Sequence, residues 1–599
     1  MKRLFFKIAA ASVISAALML AGCDFNNDSD DWSAEPPFTV TFDSAGGTEV
    51  PAQHLRWREK PEKPEDPTKE GYVFIGWYEE NSIDPYNFNY AIEKDVRLTA
   101  KWTTRDTYDF IEQIRTAKKP ENSIKAAGQF DGDSMLLVRK TLLERQKGTS
   151  SGSVPSVLFM LDFSETTGLD VLPRNAFYGT LDNISFSGCL NLKGIILPET
   201  LTRIESRAFY GCSNLESIEI PDNVTEIGES AFNCKSIGSA AKLSEVRIGK
   251  GTQIIGDSAF YGCGALVSVT ISEGSALSKI GREAFCYCSA LESISLPESV
   301  KEIGDYAFSN CDSLKEVAVP SEVNEIGKYA FSNCRELSSA VLSGAKIGDH
   351  VFSECPALKK ISISRNVSAI SDYAFYLCTK LEEVTVPGSV KRIGKYAFAG
   401  TDTSIMTFSK LTISEGVETV DEGAFSNCRG LETAVISGTV TTIGKNAFQD
   451  CVSLKEIEIP DSVTELGSGA FRRCVSLSYV TFSGKPKLTE FSEGLFFGCS
   501  FTDITIPASV HEIGISAFDS CTYLGTLHIP ANVWKIGRYA FRNCTSLTKV
   551  TVEDGYIWYQ TSNSNYTGGS KASFISSEAI IERLTKSYIY FYYKEPRYS

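Results

Sequence analysis

Fifteen cysteines recur in one slot of a repeating pattern: Cys189, Cys212, Cys234, Cys263, Cys288, Cys311, Cys334, Cys355, Cys378, Cys428, Cys451, Cys474, Cys499, Cys521 and Cys544. Thiolates ligate zinc and thiol pairs close disulfides, so spacing decides which chemistry is open to them. A metal needs ligands that converge on one point, whereas one thiol per unit is spread along a line, which disfavours zinc. Neighbouring units come close enough for disulfides, which an oxidising compartment would permit. An odd number cannot pair completely, however, and the slot lies between a Phe and a Leu, where a small apolar side chain completes a core. Buried free thiols are therefore expected. Cys286, two residues before Cys288, falls outside the slot and is expected to be exposed.

Other constellations are weaker. Gly256-Asp257-Ser258 has the residues of a hydrolase turn, but a serine nucleophile needs a positioned base, and His54, His350, His511 and His528 lie in separate segments. Its place matches that of Gly304-Asp305-Tyr306 and Gly394-Lys395-Tyr396 in other units, so it reads as a turn. Glu382-Glu383 sits on an extended stretch and reads as a solvated face. No glycine-rich phosphate loop, His-Glu-x-x-His helix or calcium loop occurs. No catalytic residue, metal or cofactor is expected, and the chain is not read as an enzyme.

The periodicity behind the cysteines is set by phenylalanine. Aligned at Phe177, Phe209, Phe232, Phe260, Phe285, Phe308, Phe331, Phe352, Phe375, Phe398, Phe425, Phe448, Phe471, Phe496, Phe518 and Phe541, eight of the fifteen intervals are 23 residues. Fourteen of these Phe follow Ala, eleven have Gly four residues upstream and thirteen have Cys three residues downstream, a regularity that chance cannot produce. Ile294 and Leu296 are spaced as on a strand with one buried face, and Val300 and Ile303 make a second extended piece. Ala307-Phe308 then closes the unit in a turn, for which Gly304 supplies backbone freedom. Pro297, Pro320, Pro387 and Pro460 follow the first strand and end its ladder, because proline lacks a donor. One unit cannot bury its own apolar edge, but stacked units share a core, so residues 156–552 are expected to form a solenoid of parallel coils. Sixteen rungs at about 4.8 Å would give an array roughly 75 Å long.

Composition agrees. At 599 residues the chain exceeds one ordinary core, and 42% hydrophobic with 22% charged residues excludes wholesale disorder. The formal net charge of −15 argues against nucleic acid or anionic lipid as a general partner. Residues 1–22 read as an export leader: Lys2, Arg3 and Lys7 precede the apolar run Ile8 to Leu20, which is shorter than a membrane span. Residues 23–37 are acidic and polar and end in Pro36-Pro37, as a flexible tether does. Residues 38–102 alternate in strand fashion between Gly and Pro turns, with Trp77 and Trp102 expected in a small core. Residues 103–155 form a linker and helical cap, with helices at 108–118 and 134–147 and the first strand of the array from Ser156 to Phe163. Residues 553–599 are expected to form a second cap, in which Tyr556 to Gln560, a Ser/Asn/Gly turn region, a helix near 577–586 and an aromatic strand at 588–593 break the repeat. Longer units after Phe232, at Ile237 to Lys242, and after Phe398, at Gly400-Thr401, should bulge from the coil.

Three resemblances sharpen this reading. Leu20-Ala21-Gly22-Cys23 resembles the lipobox of bacterial lipoproteins, which implies lipidation of Cys23 and anchorage by acyl chains. Thr41-Phe42-Asp43-Ser44-Ala45-Gly46-Gly47, Gly71-Tyr72-Val73-Phe74-Ile75-Gly76-Trp77-Tyr78 and Ala100-Lys101-Trp102 resemble the internalin-type B repeat, or Listeria-Bacteroides repeat, which implies a β-grasp-like module without catalysis. Leu314-Lys315-Glu316-Val317-Ala318-Val319-Pro320, Ile326-Gly327 and Ala330-Phe331-Ser332-Asn333-Cys334 resemble the 23-residue leucine-rich repeats of BspA-like and treponemal proteins. That family implies a leucine-rich repeat solenoid on a bacterial surface lipoprotein that binds host or neighbouring-cell proteins.

The expected binding surface is the outward face of the first strands, with Lys360, Glu383, Glu456, Glu458 and Tyr479 as candidate contacts. It is mixed in charge, rich in hydroxyls, and lacks the regular aromatics of a stacking platform. Adhesion through a protein ligand, with the membrane touched through the lipid anchor alone, is the favoured function; a scaffold binding other envelope components is the alternative. Cys23→Ser is expected to move the protein from the membrane to the soluble fraction, and unchanged membrane association on fractionation would refute lipid anchorage.

Overall fold

The computed structural model describes residues 38–80, 82, 85–146, 157–181, 184–186, 188–234, 241–343, 346–552, 556–561, 570–572, 581, 584–585 and 591–596. The leader, Cys23 and the tether lie outside them. The chain divides into two compact units, one holding the described residues up to Glu70 and Phe74–Lys101, the other Gly71–Val73 and the described residues from Trp102 on.

In the first unit, alternating apolar residues build β1 (Phe38–Asp43), β2 (Gln53–Leu55), β3 (Tyr72–Tyr78) and β4 (Val96–Thr104) into one sheet of order β2-β1-β4-β3. β1 and β4 run parallel, with Val40 opposite Val96 and Phe42 opposite Leu98. Val40, Leu98 and Trp77 are buried beneath this sheet, and Phe42 meets Trp77 edge-on at 4.9 Å. Trp77 and Trp102 are both core residues, as expected.

The second unit opens with α1 (Arg105–Thr116), β5 (Glu121–Gln129), α2 (Gly132–Gln146) and β6 (Leu158–Thr167). Thr104 caps α1 by accepting the Thr107 amide. Phe110 of α1 then packs edge-to-face on Phe130 and Phe163, at 5.6 and 5.4 Å. β5 and β6 pair in parallel across α2. Both expected helices are present, but β6 is not the first strand of this unit, because β5 precedes it. Only Ile124 and Ala126 of β5 are buried hydrophobics, too few to register as a strand in sequence.

The strand Leu192–Ile196 adds in parallel to β6, and the coils then follow. First strands pair in strict register, as Ile218 with Val246 and Ile220 with Ile248, and alternate exposed and buried residues. Two-residue second strands stack from Val171–Leu172 through Arg203–Ile204 and Glu226–Ile227 as far as Lys346–Ile347, and a further ladder runs from Ala369–Ile370 to Glu465–Leu466.

The turn is the informative part of each coil. In the Phe308 coil the amides of Tyr306, Phe308 and Asn310 donate to carbonyls of Lys328, Ala330 and Ser332 in the next coil, at 2.8, 2.7 and 3.0 Å. The intervening amides of Ala307, Ser309 and Cys311 donate backward to Gly304, Tyr306 and Phe308. Such alternation requires left-handed backbone on either side of Ala-Phe, and Tyr306 and Asn310 have φ of 57° and 61°. The same conformation recurs two residues before Phe in every aligned unit, from Asn175 at 58° to Tyr539 at 59°. A left-handed non-glycine residue costs about 1–2 kcal/mol, but a buried amide left without an acceptor costs about 1–3 kcal/mol. The hydrogen bond therefore prevails.

The recurrence of Gly four residues before Phe has a different cause from the one its sequence implies. Gly304 and Gly327 are not left-handed. A Cβ on Gly304 would come within 2.6 Å of the Arg282 nitrogen in the preceding coil, so glycine is required there by backbone approach.

Inside the coils all sixteen Phe form one stack, with centroids 4.8–5.7 Å apart and planes within 25° of parallel. The slot cysteines are buried free thiols. From Cys263 to Cys544 each Sγ–H donates to the Phe carbonyl of the preceding coil at 3.1–3.3 Å. A small, weakly polar side chain fits because it fills apolar space and gives that carbonyl a second donor besides the amide of its own coil. Cys286 is a correction: it is 4% exposed and buried like the rest. Its ring neighbour Tyr287 takes the exposed position instead, on left-handed backbone at 61°.

At the C-terminal side the stacking of second strands changes sense. Phe591–Pro596 pairs antiparallel with Lys535–Ile536, and Tyr556–Thr561 pairs antiparallel with both Phe591–Pro596 and Ser570–Ala572. The expected aromatic strand is present over Phe591–Pro596, while 588–590 and most of the helix placed near 577–586 lie outside the described residues. So does most of the insertion from Ile237 to Lys242.

Two outcomes follow. Phe331→Ala removes one ring from the stack and is expected to destabilise the unit by about 3–5 kcal/mol, whereas Cys334→Ala leaves the Phe308 carbonyl its Cys311 amide and should cost only about 1–2 kcal/mol; urea midpoints of the two variants check the order. Burial pushes up the thiols of Cys212, Cys288, Cys334, Cys378 and Cys499, and raises Cys189 and Cys544 to about 12. Folded coils thus retain protons that the unfolded chain releases above its ordinary value near 8.5. Stability should be fully present below about pH 8 and fall as pH rises toward 12. Thermal melts in reductant at several pH values, with native thiol labelling that leaves Cys286 as slow as its neighbours, check this.

Candidate binding surfaces

The outward positions of the first strands form a face that is continuous within each sheet, and the five strands from Glu383–Val386 to Tyr479–Phe482 pair without a register shift. One row runs Glu383, Lys410, Thr433, Glu456 and Tyr479 across five adjacent strands. A second row holds Thr385, Thr412 and Val435, and in the same position Glu458 lies opposite Thr481. Lys360 stands one coil earlier, opposite Ser339. All five sequence candidates, Lys360, Glu383, Glu456, Glu458 and Tyr479, are exposed on this face, and four of them fall in the one continuous sheet. Apolar patches interrupt the charges: Val341, Val435 and Tyr479 are 41%, 56% and 64% exposed. Elsewhere, carboxylate–ammonium pairs link successive coils, as Lys315 with Glu292 at 2.6 Å and Lys455 with Glu432 at 2.7 Å. These are exposed pairs worth at most about 1 kcal/mol each.

A different surface lies on the turn side. Two residues before Phe, five successive coils carry Tyr306, Tyr329, His350, Tyr373 and Tyr396, whose half-buried rings stack at 4.8, 4.4, 4.5 and 5.2 Å. Burial holds the His350 imidazole below its usual pKa against the opposing pull of Asp349, Glu354 and Asp372, so it stacks as a neutral ring. Burial raises the phenols of Tyr306, Tyr376 and Tyr396. The strand face reads as lacking a regular aromatic platform, and the turn side, which that reading does not address, carries this row of rings. Its signal was present, as Tyr in the sequence Gly-x-Tyr-Ala-Phe at Tyr306, Tyr329 and Tyr396, where it read simply as turn.

The aromatic row ends where the long Phe398 coil begins. Met406 and Phe408 anchor the extra residues in the core, while the Thr401 amide closes a tight turn on the Ser404 carbonyl at 2.9 Å. The resulting ridge has a groove on each side. One, of about 570 Å³, is lined by Asn333, Arg335, Glu354, Leu377, Lys380 and Thr403 among others. The second, of about 470 Å³, lies between Tyr373, Tyr376 and Tyr396 and the polar side chains Asp402, Asn427, Asn446, Gln449, Asp450 and Arg473. Asp450 is 4% exposed. Burial pushes its carboxyl up, but the Arg473 fork at 2.7 Å on both oxygens and the Gln449 amide at 2.9 Å more than offset this, holding it below the ordinary carboxylate value.

The tempting hydrolase turn is structural: Ser258 is left-handed at φ 53° and donates to the Glu283 carboxylate of the next coil at 3.2 Å. His350 lies in the ring stack, and His528 Nδ1 lies 3.0 Å from the Thr551 hydroxyl on the strand face. Among the described residues no group of three or more His, Cys, Asp or Glu could hold a metal ion.

Comparison with known proteins places these features. Over 67 residues the chain is 33% identical to a protein of Evansella cellulosilytica, a match spanning 11% of this chain and 10% of that one. Solved structures that the chain matches include a leucine-rich repeat protein from Bacteroides ovatus, 26% identical over 59% of this chain and 88% of that one with a TM-score of 0.37. A leucine rich cell surface protein from Faecalibacterium prausnitzii is 30% identical over 57% and 88%, with a TM-score of 0.34. Residues 38–101 match the Listeria-Bacteroides repeat domain. The BspA type leucine rich repeat region matches residues 171–275, 238–345, 345–478, 404–524 and 441–564, nearly the whole run of stacked coils, and the chain therefore belongs to the BspA-type leucine-rich repeat family.

Proposed function

We propose that this protein is a lipid-anchored adhesin of the bacterial surface that binds an extended protein partner through the exposed face of its first strands. The observation that carries the reading is the unbroken row Glu383–Lys410–Thr433–Glu456–Tyr479, which presents alternating charge and an exposed aromatic side chain at successive rungs. Proteins of this repeat family are typically found at the cell surface, typically bind other proteins and typically catalyse no reaction.

The outward side chains recur one per rung along the row, so binding is distributed. Each rung adds a modest contact, and the sum depends on simultaneous engagement of many. Exposed charges steer and register the partner, while Tyr479 and Val435 supply the apolar area that most often carries binding energy. Anchorage at Cys23 and the tether to residue 37 would hold the array at the membrane.

Binding of the purified full chain to immobilised extracellular-matrix proteins, with an envelope extract as the competing target, tests the reading. Lys360→Ala or Glu458→Ala alone should weaken binding less than about threefold, while Glu383→Ala, Glu456→Ala and Tyr479→Ala combined should weaken it by more than tenfold. Removal of two complete 23-residue units from the middle of the array should give an intermediate loss. Abolition of binding by one substitution in a folded variant would refute the distributed mechanism, and binding confined to envelope components would replace adhesion by scaffolding.

A further inference from the structure

We propose that the groove between the aromatic row and the ridge of the long Phe398 coil is a binding site for a neutral oligosaccharide, separate from the strand face and independent of the protein-binding reading. The argument begins with backbone cost. Left-handed conformation is cheapest for Gly and tolerable for Asn and Ser; eight of the other eleven coils use Asn175, Ser230, Ser258, Gly423, Asn446, Gly469, Gly494 or Ser516 in this slot, and Arg207, Glu283 and Tyr539 are isolated exceptions. Yet five consecutive coils place a bulky ring there, at φ of 52–58°. The turn itself has no need of them, so the rings serve a surface.

The row stops at a step. Tyr396 is the last ring, and the next coil carries Gly423 in the slot, where a Cβ would lie 2.3 Å from Tyr396 Cε1. Glycine thus leaves room for the ring and lowers the floor beyond it. Tyr376 stands perpendicular to Tyr373 at 5.5 Å, so the groove has an aromatic corner offering planes in two directions.

The remaining wall identifies the ligand class. Asn446 and Gln449 present neutral amides, and Asn427 Oδ1 is buried with no hydrogen-bond partner among the described residues. The two strongest charges, Asp450 and Arg473, neutralise one another through a two-point contact. Asp402 is likewise held by Arg429 at 3.2 Å. A phosphate or sulfate would find no uncompensated cation, and a hydrophobic peptide would find few aliphatic contacts. A sugar ring offers what the groove matches: an apolar C–H face to lie on tyrosine, and hydroxyls around its rim that can both donate to and accept from amides. The groove is open, so a chain of several residues fits better than an enclosed monosaccharide.

The test is affinity electrophoresis of the full chain in gels containing soluble neutral polysaccharides, in two arms. One arm holds plant- or host-type glucans, mannans and galactans; the other holds N-acetylglucosamine polymers of the bacterial-envelope type. Retardation in either arm supports the proposal and identifies the source, and it should persist from 0.05 to 0.5 M salt because the interaction is uncharged. Tyr376→Ala and Tyr396→Ala should each weaken retardation at least tenfold and Asn446→Ala about three- to tenfold, with thermal midpoints recorded to establish folding. Tyr479→Ala, on the strand face, should change nothing. Tyr376→Phe keeps the ring plane and guards against misfolding of the alanine variant; it should retain most of the binding. The proposal is overturned if no neutral polysaccharide retards the chain, if folded Tyr376→Ala and Tyr396→Ala variants are retarded like the parent, or if retardation occurs solely with acidic polysaccharides and vanishes in high salt.

Discussion

Parallel hydrogen bonding between successive coils does not stop where the strands stop. The amides of Tyr306, Phe308 and Asn310 continue it through the turn, and this constraint organises almost everything else in the unit. It forces left-handed backbone on both sides of Ala-Phe. It also draws successive coils so close that Gly304 and Gly327 admit no Cβ, and it sets the Phe rings at a spacing where they stack nearly parallel. The thiol then occupies the remaining space and supplies a donor to the adjacent carbonyl. Hydrophobic burial stabilises the array, but the continuous ladder decides its geometry.

Much of this was legible in the residues. The Phe alignment delivered the unit, the Ile-x-Leu spacing its first strand, and the Phe-x-x-Cys spacing a buried thiol, because each is an apolar position recurring at fixed intervals. What escaped had no such signature. β5 hides because its inward side chains are few and small. Cys286 looked exposed for lying outside the slot, yet it is buried beside a Tyr that occupies the outward position. Gly304 looked like a residue chosen for backbone freedom, whereas the freedom is exercised two residues later by Tyr306. A sequence shows which residue is unusual, but close approach between coils is a property of three dimensions. The aromatic row escaped for the same reason: its members are some 23 residues apart and become neighbours only when the coils stack.

Because the ladder and core are satisfied internally, the outward positions are free to vary rung by rung. The strand face uses that freedom for charges, hydroxyls and scattered apolar side chains, and the turn face uses it for rings. One irregular coil, with Met406 and Phe408 holding its additional length to the core, is enough to turn a regular edge into a ridge with grooves on both sides. Irregularity in such an array is where shape, and hence selectivity, becomes possible.

A coil bonded only to its two neighbours also has a mechanical meaning. Tension applied along the chain would meet no contact between distant coils, so the array would yield by peeling from an end, one coil at a time, each 23-residue unit releasing roughly 75–80 Å of extended chain. An array held at one end and gripped along its length would then lengthen under shear in discrete steps and dissipate load before its attachments fail. Single-molecule pulling would record this as a regular sawtooth, and a single all-or-none rupture would show that the coils yield together.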